Sequence, residues 1–205
     1  MKSVIAGLTG QTGAGKSTAA KIFLNNGAYV IDCDKAAREI VEPEKPALKK
    51  LCECFGFDIL NDDKTLNRRL LAARAFKDSN STRMLNDITE PYITELVREK
   101  IKLAQKEGYE VIIIDAPVLF SSPLKDDCEV VICVTAPLDE RIERLLLRDN
   151  RTREEIETRI SAQESENFYV ENSDIIIDNA EDIEIEPQVL KIIERLKNDA
   201  LNKAD

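Results

Sequence analysis

Short apolar runs and amphipathic stretches follow one another along most of the chain. Five runs have the length of buried strands, at residues 4–9, 28–31, 111–115, 130–134 and 174–178. Apolar residues recur at helical spacing over residues 17–24, 66–76, 82–105, 137–148 and 187–201, and residues 151–163 form a charged helical pattern. Strands that alternate with helices predict an α/β fold class, a three-layer sandwich with a parallel sheet.

The chain between the second and third predicted strands contains no convincing strand pattern. Its apolar spacing is helical, and we interpret it as a helical insert. Pro91 lies in the middle of the longer helical pattern, so we expect it to break that helix or to start a new one. A length of 205 residues fits one domain that carries such an insert.

Composition limits the chemistry that the chain can perform. There are 39 acidic and 29 basic residues, a net charge of −10, so we expect no nucleic-acid partner and expect any anionic ligand to be held by a local site. Histidine is absent, which excludes Ser-His catalysis and leaves carboxylate, Lys, Cys or Tyr as a general base near neutral pH. Five cysteines without a C-x-x-C motif predict neither disulfides nor a zinc site.

The hydrophobic pattern also bears on location. No apolar run approaches the ~20 residues needed to span a bilayer. The N-terminal residues lead directly into a predicted strand, without the apolar core of a secretory signal. We therefore expect no membrane segment and a cytoplasmic protein, and we make no prediction about its oligomeric state.

Residues 10–17, with the sequence GQTGAGKS, match the phosphate-binding motif G-x-x-x-x-G-K-[ST] between a predicted strand and a predicted helix. The loop N–H groups and the helix N-terminus can surround a β-phosphate, Lys16 reaches the β and γ oxygens, and Ser17 ligates Mg²⁺. The alternative is a chance glycine-rich turn. The predicted ATP-binding residues of this segment and of the position that follows it are Gly10, Thr12, Gly13, Ala14, Gly15, Lys16, Ser17 and Thr18.

The last four residues, Asn202-Lys203-Ala204-Asp205, formally match the guanine-reading motif N-K-x-D. They follow a predicted helix instead of a strand, and no D-x-x-G segment precedes them. Terminal residues are usually frayed. We therefore reject a switch GTPase.

Three aspartates stand at the ends of predicted strands, where open α/β sheets place ligand-facing residues. Asp34 is our candidate for the base that accepts a hydroxyl proton, whereas Asp32 can either serve the reaction or cap the helix that follows. The alternative is that both aspartates only cap that helix. Asp115 resembles the Walker B carboxylate that holds Mg²⁺ through its hydration shell, and the alternative is an ordinary strand-end aspartate.

Arginines are concentrated between positions 141 and 159 of this acidic chain. Arg141, Arg144 and Arg148 are spaced to share one helical face. We interpret the segment as a lid that closes over phosphates, where Arg neutralises developing charge. The alternative is a solvated face whose arginines pair with Glu140 and Glu143.

The chain resembles the dephospho-coenzyme A kinase family over most of its length. The motifs that carry the resemblance occur in the same order: GLTG at 7–10, DCDKAAR at 32–38, FG at 55–56 with Ile59-Leu60, LNR at 66–68, Leu85-Asn86-x-Ile88, DAPVLF at 115–120, Arg144 with Arg148-Asp149, Arg159-Ile160-x-x-Gln163, and Ile177-Asp178-Asn179. Two positions depart from the family pattern. Glu90 replaces a His before Pro91, and Ser121 replaces a Glu.

The resemblance implies that ATP, with Mg²⁺, phosphorylates the ribose 3′-hydroxyl of dephospho-CoA, the final step of coenzyme A synthesis. ATP and dephospho-CoA are the partners that it implies. It also implies roles for further residues: Asp34 as the base, Lys16 and Arg144 as catalytic groups, Arg144 and Arg148 on ATP phosphates, Asn179 at the adenine of ATP, and Arg38, Pro117 and Leu119 together with Asp34 at the acceptor. The alternatives are another small-molecule or nucleoside kinase and an ATP-binding regulator without turnover.

The resemblance further implies a nucleoside-monophosphate-kinase-like fold, a P-loop NTPase with a helical substrate-binding insert and a lid. We predict a single P-loop kinase domain over residues 1–205. Its core comprises residues 1–34, 110–145 and 170–205, its insert residues 35–109, and its lid residues 146–169.

Overall fold

A five-stranded sheet forms the centre of the computed structural model, which describes residues 2–202. The strands are β1 (Val4–Thr9), β2 (Tyr29–Asp32), β3 (Val111–Asp115), β4 (Val130–Thr135) and β5 (Ile175–Asp178). Their order across the sheet is β2-β3-β1-β4-β5. Strand β1 pairs in parallel with β3 and β4, and β4 pairs in parallel with β5. The predicted α/β class is confirmed.

The register of the central strands brings the chemistry to one edge of the sheet. Leu8 of β1 lies opposite Asp115 of β3, and Thr9 lies opposite Cys133 of β4. Because the carboxyl ends of parallel strands share an edge, Asp115 and the loop that follows β1 are neighbours. The five residues of β3 are all buried, which explains why the strand reads as a continuous apolar run.

The structure divides into two compact units, and the first comprises Met1–Ile31 and Ile101–Asp205. Besides most of the sheet it contains helices α1 (Lys16–Asn25), α6 (Leu138–Asp149), α7 (Arg153–Ser161), α8 (Glu166–Glu171) and α9 (Ile185–Asn202). Helix α9 buries Val189, Ile193 and Leu196 against the same core as Phe23 of α1. The three- and four-residue spacing of these side chains is the pattern that predicted the helix.

The second unit comprises Asp32–Lys100. Its helices are α2 (Cys33–Glu39), α3 (Pro46–Phe55), α4 (Arg68–Ala75) and the greater part of α5 (Ser79–Lys106). It has a separate apolar core that includes Leu48, Leu51, Ile59 and Leu71. The predicted helices at 66–76 and 82–105 are both present, while the boundaries 35–109 and 146–169 of a substrate-binding insert and a lid stay predictions.

Pro91 does not break or start a helix, so that expectation was wrong. It lies inside α5, which continues on both sides of it. A proline at this position removes one helical hydrogen bond. Apolar side chains before and after it, including Ile88, Tyr92 and Leu96, pack onto the core of the second unit, and this packing overrides the local preference of proline.

Three further expectations concern what the chain lacks. Within residues 2–202 no helix is both long and apolar enough to cross a membrane. No disulfide joins the five cysteines, all of which the structure describes. Of the rejected N-K-x-D motif, Asn202 is the last residue of α9, and the other three residues lie outside the described part.

We predict that Pro91→Ala stabilises the protein. Pro91 is exposed, so the substitution sacrifices little packing and restores a backbone N–H to α5. The free energy of unfolding should rise by about 1–3 kcal/mol in urea denaturation. Arg83→Ala, an exposed change in the same helix, should alter it by less than ~0.5 kcal/mol. Equal or lower stability of Pro91→Ala would contradict this account.

Candidate active site

The phosphate-binding loop connects β1 to α1 in a conformation that depends on glycine. Gly13 and Gly15 have φ angles of 81° and 101°, in the left-handed region. The Ala14 N–H donates to the Gln11 carbonyl at 3.1 Å, and the Thr18 N–H donates to the Gly15 carbonyl at 2.9 Å. Gly15 caps α1 without any side-chain hydrogen bond, so the first N–H groups of the helix are available to a ligand.

Asn179, the residue that follows β5, contacts the end of this loop. Its Nδ2 donates to the Ala14 carbonyl at 2.8 Å, and its backbone N–H donates to the Thr135 carbonyl at 2.9 Å. A Cβ atom on Gly15 would overlap the Asn179 amide, so close approach also requires glycine there. The predicted contact of Asn179 with the adenine of ATP stays a prediction.

Lys16 and Asp115 form an ion pair at the edge of the sheet. The Lys16 side chain is 17% exposed and the Asp115 side chain 11% exposed, so water screens this pair less than it screens surface pairs. Lys16 begins α1 and Asp115 ends β3. The residue predicted to bind phosphate and the residue predicted to bind metal are therefore brought together.

The oxygen atoms of two side chains at this edge are suitable ligands for a magnesium ion. Ser17 provides a hydroxyl in the first turn of α1, and Asp115 provides a carboxylate. Mg²⁺ prefers oxygen ligands and is held by one or two protein groups together with substrate phosphates and water.

Arg141 lies beneath the loop and is only 3% exposed. Its Nε donates to the Thr12 carbonyl at 3.0 Å, and its Nη1 donates to Gln11 Oε1 at 2.5 Å. Burial lowers the pKa of the Arg141 guanidinium. Arg141 therefore differs from the other two arginines with which sequence analysis grouped it, because it supports the loop from inside. The sequence feature that indicates the burial of Arg141 is its position one turn before Leu145, on the buried face of α6.

The two other arginines of α6 have different partners. Arg144 Nη2 donates to Glu140 Oε2 at 2.9 Å and to the Asn179 carbonyl at 2.8 Å. Arg144 therefore contacts the residue whose side chain holds the Ala14 carbonyl of the loop. Arg148 donates to both carboxylate oxygens of Asp149, at 2.5 and 3.0 Å. Hydrogen bonding to Asp149 raises the pKa of Arg148, and the same bond lowers the pKa of Asp149. The contact of both arginines with ATP phosphates stays a prediction.

The segment between α7 and α8 is bonded to the loop, a feature that sequence analysis missed. Gln163 Oε1 accepts the Thr12 N–H at 2.9 Å, and the Glu164 carbonyl accepts Gln11 Nε2 at 2.8 Å. The predicted lid includes both residues. No sequence pattern could have indicated these contacts, because the partners lie about 150 positions apart along the chain.

Two residues predicted at the acceptor follow β3. The Thr9 hydroxyl donates to the Pro117 carbonyl at 3.5 Å, and Pro117 is half-buried. Leu119 is fully buried, and its side chain lies where a Cβ atom on Gly7 would stand. Leu119 thus packs against the backbone of β1. A part for either residue in acceptor binding stays a prediction.

In the second unit, the start of α2 carries the predicted base. Asp32 Oδ1 accepts the Lys35 N–H at 2.9 Å, so Asp32 is the N-cap, one of the two roles left open for it. Asp34 lies in the first turn of α2, and Arg38 lies one turn further on. Both are exposed, and their spacing of four residues places them on one face of the helix.

Known proteins with similar sequences belong to one kinase family. The sequence model of the family described as dephospho-CoA kinase matches residues 4–184. A dephospho-CoA kinase of Corynebacterium efficiens is 41% identical over 173 residues, which cover 84% of this chain and 86% of the relative.

Solved structures share the fold over nearly the whole chain. A crystal structure of a Thermus thermophilus protein is 27% identical and has a TM-score of 0.81, covering 95% of this chain and 98% of that one. A dephospho-CoA kinase of Campylobacter jejuni is 23% identical with a TM-score of 0.71, covering 95% and 97%. The second likeness shows the fold alone.

We predict that Arg141→Met weakens ATP binding about tenfold, measured by isothermal titration calorimetry. Methionine keeps most of the apolar stem but leaves the Thr12 carbonyl and the Gln11 amide without their charged donor. Arg153→Met is the matched control, because Arg153 is exposed and its guanidinium lies 3.5 Å from the exposed carboxylate of Glu157, away from the loop contacts of Arg141. Wild-type ATP affinity in Arg141→Met would refute the support role.

Proposed function

The chain belongs to the dephospho-CoA kinase family, and we propose how its residues transfer the γ-phosphoryl group of ATP to the 3′-hydroxyl of dephospho-CoA. The observation that carries the proposal is the supported phosphate loop, with Lys16 in an ion pair with Asp115, in a chain that matches the family over residues 4–184. The reaction forms coenzyme A and ADP. It is the final step of coenzyme A synthesis.

The phosphate loop and Lys16 bind the ATP phosphates in this proposal. The loop N–H groups and the N-terminus of α1 surround the β-phosphate, and the Lys16 ammonium moves from Asp115 to the β and γ oxygens. Ser17 and Asp115 are the groups that would hold Mg²⁺ with ATP, and the ion would neutralise phosphate charge. Thr18, which is exposed on the first turn of α1, completes the predicted ATP contacts.

Arg144 stabilises the charge that develops on the transferring phosphoryl group. Its bond to the Asn179 carbonyl supports this role, because Asn179 also bonds to the loop at Ala14. Arg148 reaches phosphate only by exchanging the Asp149 carboxylate for phosphate oxygens. We propose that closure of the lid, residues 146–169, drives that exchange.

Asp34 accepts the proton of the acceptor hydroxyl. As that proton leaves, the hydroxyl oxygen bonds to the γ-phosphorus, and the bond from the γ-phosphorus to the bridging oxygen of ADP breaks. A carboxylate at the end of a strand is the favoured base, because histidine is absent from the chain. Arg38, on the same face of α2, is suited to bind the acceptor's phosphates.

The direct test is product formation. With ATP and Mg²⁺, the purified protein should convert dephospho-CoA into a product heavier by one phosphoryl group, detected by mass spectrometry. Lys16→Ala should reduce the rate by far more than tenfold. A tenfold loss corresponds to ~1.4 kcal/mol in the activation barrier. Product from a nucleoside but not from dephospho-CoA would indicate another kinase, and no ADP release with any acceptor would indicate a regulator without turnover.

We predict that Asp34→Asn lowers kcat by about 10²–10⁴-fold, the usual contribution of a positioned base. The change keeps the shape of the side chain, so the melting temperature and the ATP affinity should stay near wild type. Asp32→Asn is the matched control, because asparagine also caps helices well and its kcat should fall far less. Equal and small losses of kcat in both variants would show that Asp34 is not the base.

A further inference from the structure

A cavity of about 410 Å³ lies in the first unit beside the phosphate loop. One wall comes from the segment after β3 and includes Pro117 and Phe120. The other comes from the α7–α8 segment and from α8, and includes Gln163, Phe168 and Tyr169. Its volume falls within the range of about 300–1,000 Å³ that is typical of small-molecule sites. None of the roles assigned above uses Phe120, Phe168 or Tyr169.

The aromatic side chains of this cavity contact one another in a single cluster. Phe120 and Phe168 are 5.3 Å apart between ring centroids, with planes at 84°. Tyr169 is 5.7 Å from Phe120 and 5.9 Å from Phe168. These are edge-to-face contacts, the arrangement that aromatic rings prefer. Phe120 and Phe168 are only half-buried, so part of each ring remains available to a flat apolar ligand.

Polar groups of the same wall connect the cavity to the phosphate loop. Gln163 holds the Thr12 N–H with its side-chain oxygen, and the Glu164 carbonyl holds the Gln11 side chain. The nitrogen of the Gln163 amide is therefore the end that can donate to a ligand. The Glu164 carboxylate, also in the cavity lining, accepts hydrogen bonds. A ligand in this cavity meets a flat aromatic surface, the amide donor of Gln163 and the carboxylate acceptor of Glu164. The same two residues contact the phosphate loop.

We propose that this cavity binds the adenine base of the acceptor nucleotide. The proposal rests on the proposed function, because it takes dephospho-CoA as the acceptor. In dephospho-CoA the adenine and the reacting 3′-hydroxyl are attached to the same ribose ring. A base bound beside Gln11 and Thr12 keeps that hydroxyl near the phosphate loop. Adenine offers a flat ring for stacking, ring nitrogens for the Gln163 amide and an exocyclic amine for the Glu164 carboxylate.

The adenine of ATP suits this cavity less well. It is separated from the γ-phosphorus by a ribose and the rest of the triphosphate, whereas the acceptor's base is separated from its hydroxyl by the ribose alone. Asn179, the residue proposed for the adenine of ATP, contacts the loop at Ala14 and Gly15, and the cavity wall contacts it at Gln11 and Thr12. The two bases are thus assigned to different ends of the loop.

The experiment compares Phe168→Ala, Phe168→Tyr and Val170→Ala with wild type in steady-state kinetics. Val170 lies on the same helix and is 39% exposed, so Val170→Ala controls for mutation of α8. Phe168→Ala should raise the KM for dephospho-CoA at least about fivefold, as expected when one base loses its stacking partner. The KM for ATP should change less than about twofold, and Phe168→Tyr should restore the KM for dephospho-CoA.

Competitive inhibitors identify which part of the acceptor occupies the cavity. AMP carries the base, whereas 4′-phosphopantetheine carries the other half of dephospho-CoA. Against dephospho-CoA at saturating ATP, Phe168→Ala should weaken inhibition by AMP at least about fivefold and leave inhibition by 4′-phosphopantetheine unchanged.

The reverse pattern would overturn the proposal and place the pantetheine arm in the cavity. A raised KM for ATP, or an unchanged KM for dephospho-CoA in Phe168→Ala, would also overturn it. Failure of the proposed function looks different, because the wild-type protein would then form no product from dephospho-CoA at all. That result would remove the proposal too.

Discussion

The phosphate-binding loop must leave some of its N–H groups free if a phosphate is to occupy them, so hydrogen bonds within its own backbone, such as that from the Ala14 N–H to the Gln11 carbonyl, can stabilise only part of it. The remaining support comes from side chains outside the loop. Arg141 holds the Thr12 carbonyl, Asn179 holds the Ala14 carbonyl, and Arg144 holds the Asn179 carbonyl in turn. These contacts explain why a buried arginine, costly in isolation, is found here. They also link α6 and the end of β5 to the catalytic loop.

The cationic side chains of the phosphate site are paired with nearby carboxylates in a chain whose net charge is −10. Each cationic side chain assigned to the phosphates of ATP already faces a carboxylate: Lys16 faces Asp115, Arg144 faces Glu140 and Arg148 faces Asp149. A bound polyphosphate therefore competes with carboxylates that belong to the site. The ion pairs orient the cationic side chains and neutralise their charges where the dielectric constant is low. When a polyphosphate binds, each cation exchanges its carboxylate partner for phosphate oxygens.

Much of the fold and of the phosphate site could be predicted, since their signals are local. The loop motif occupies eight successive residues, and each strand appears as a continuous apolar run. Pro91 shows where local rules fail, because packing of α5 on both sides of the proline outweighs its intrinsic preference. Arg141 is the corresponding case at the site. Its spacing from Arg144 and Arg148 indicated a face shared by the three arginines, and only its place one turn before the apolar Leu145 distinguished it as the buried one.

The sequence by itself determined the order of elements, the residues of the phosphate loop and the absence of histidine chemistry, because these depend on periodicity, spacing and composition. The tertiary structure decided which distant groups meet. Gln163 reaches Thr12 from about 150 residues away, and Phe120 joins Phe168 and Tyr169 in one cluster. Such contacts follow from chain topology and packing, which no window of neighbouring residues encodes.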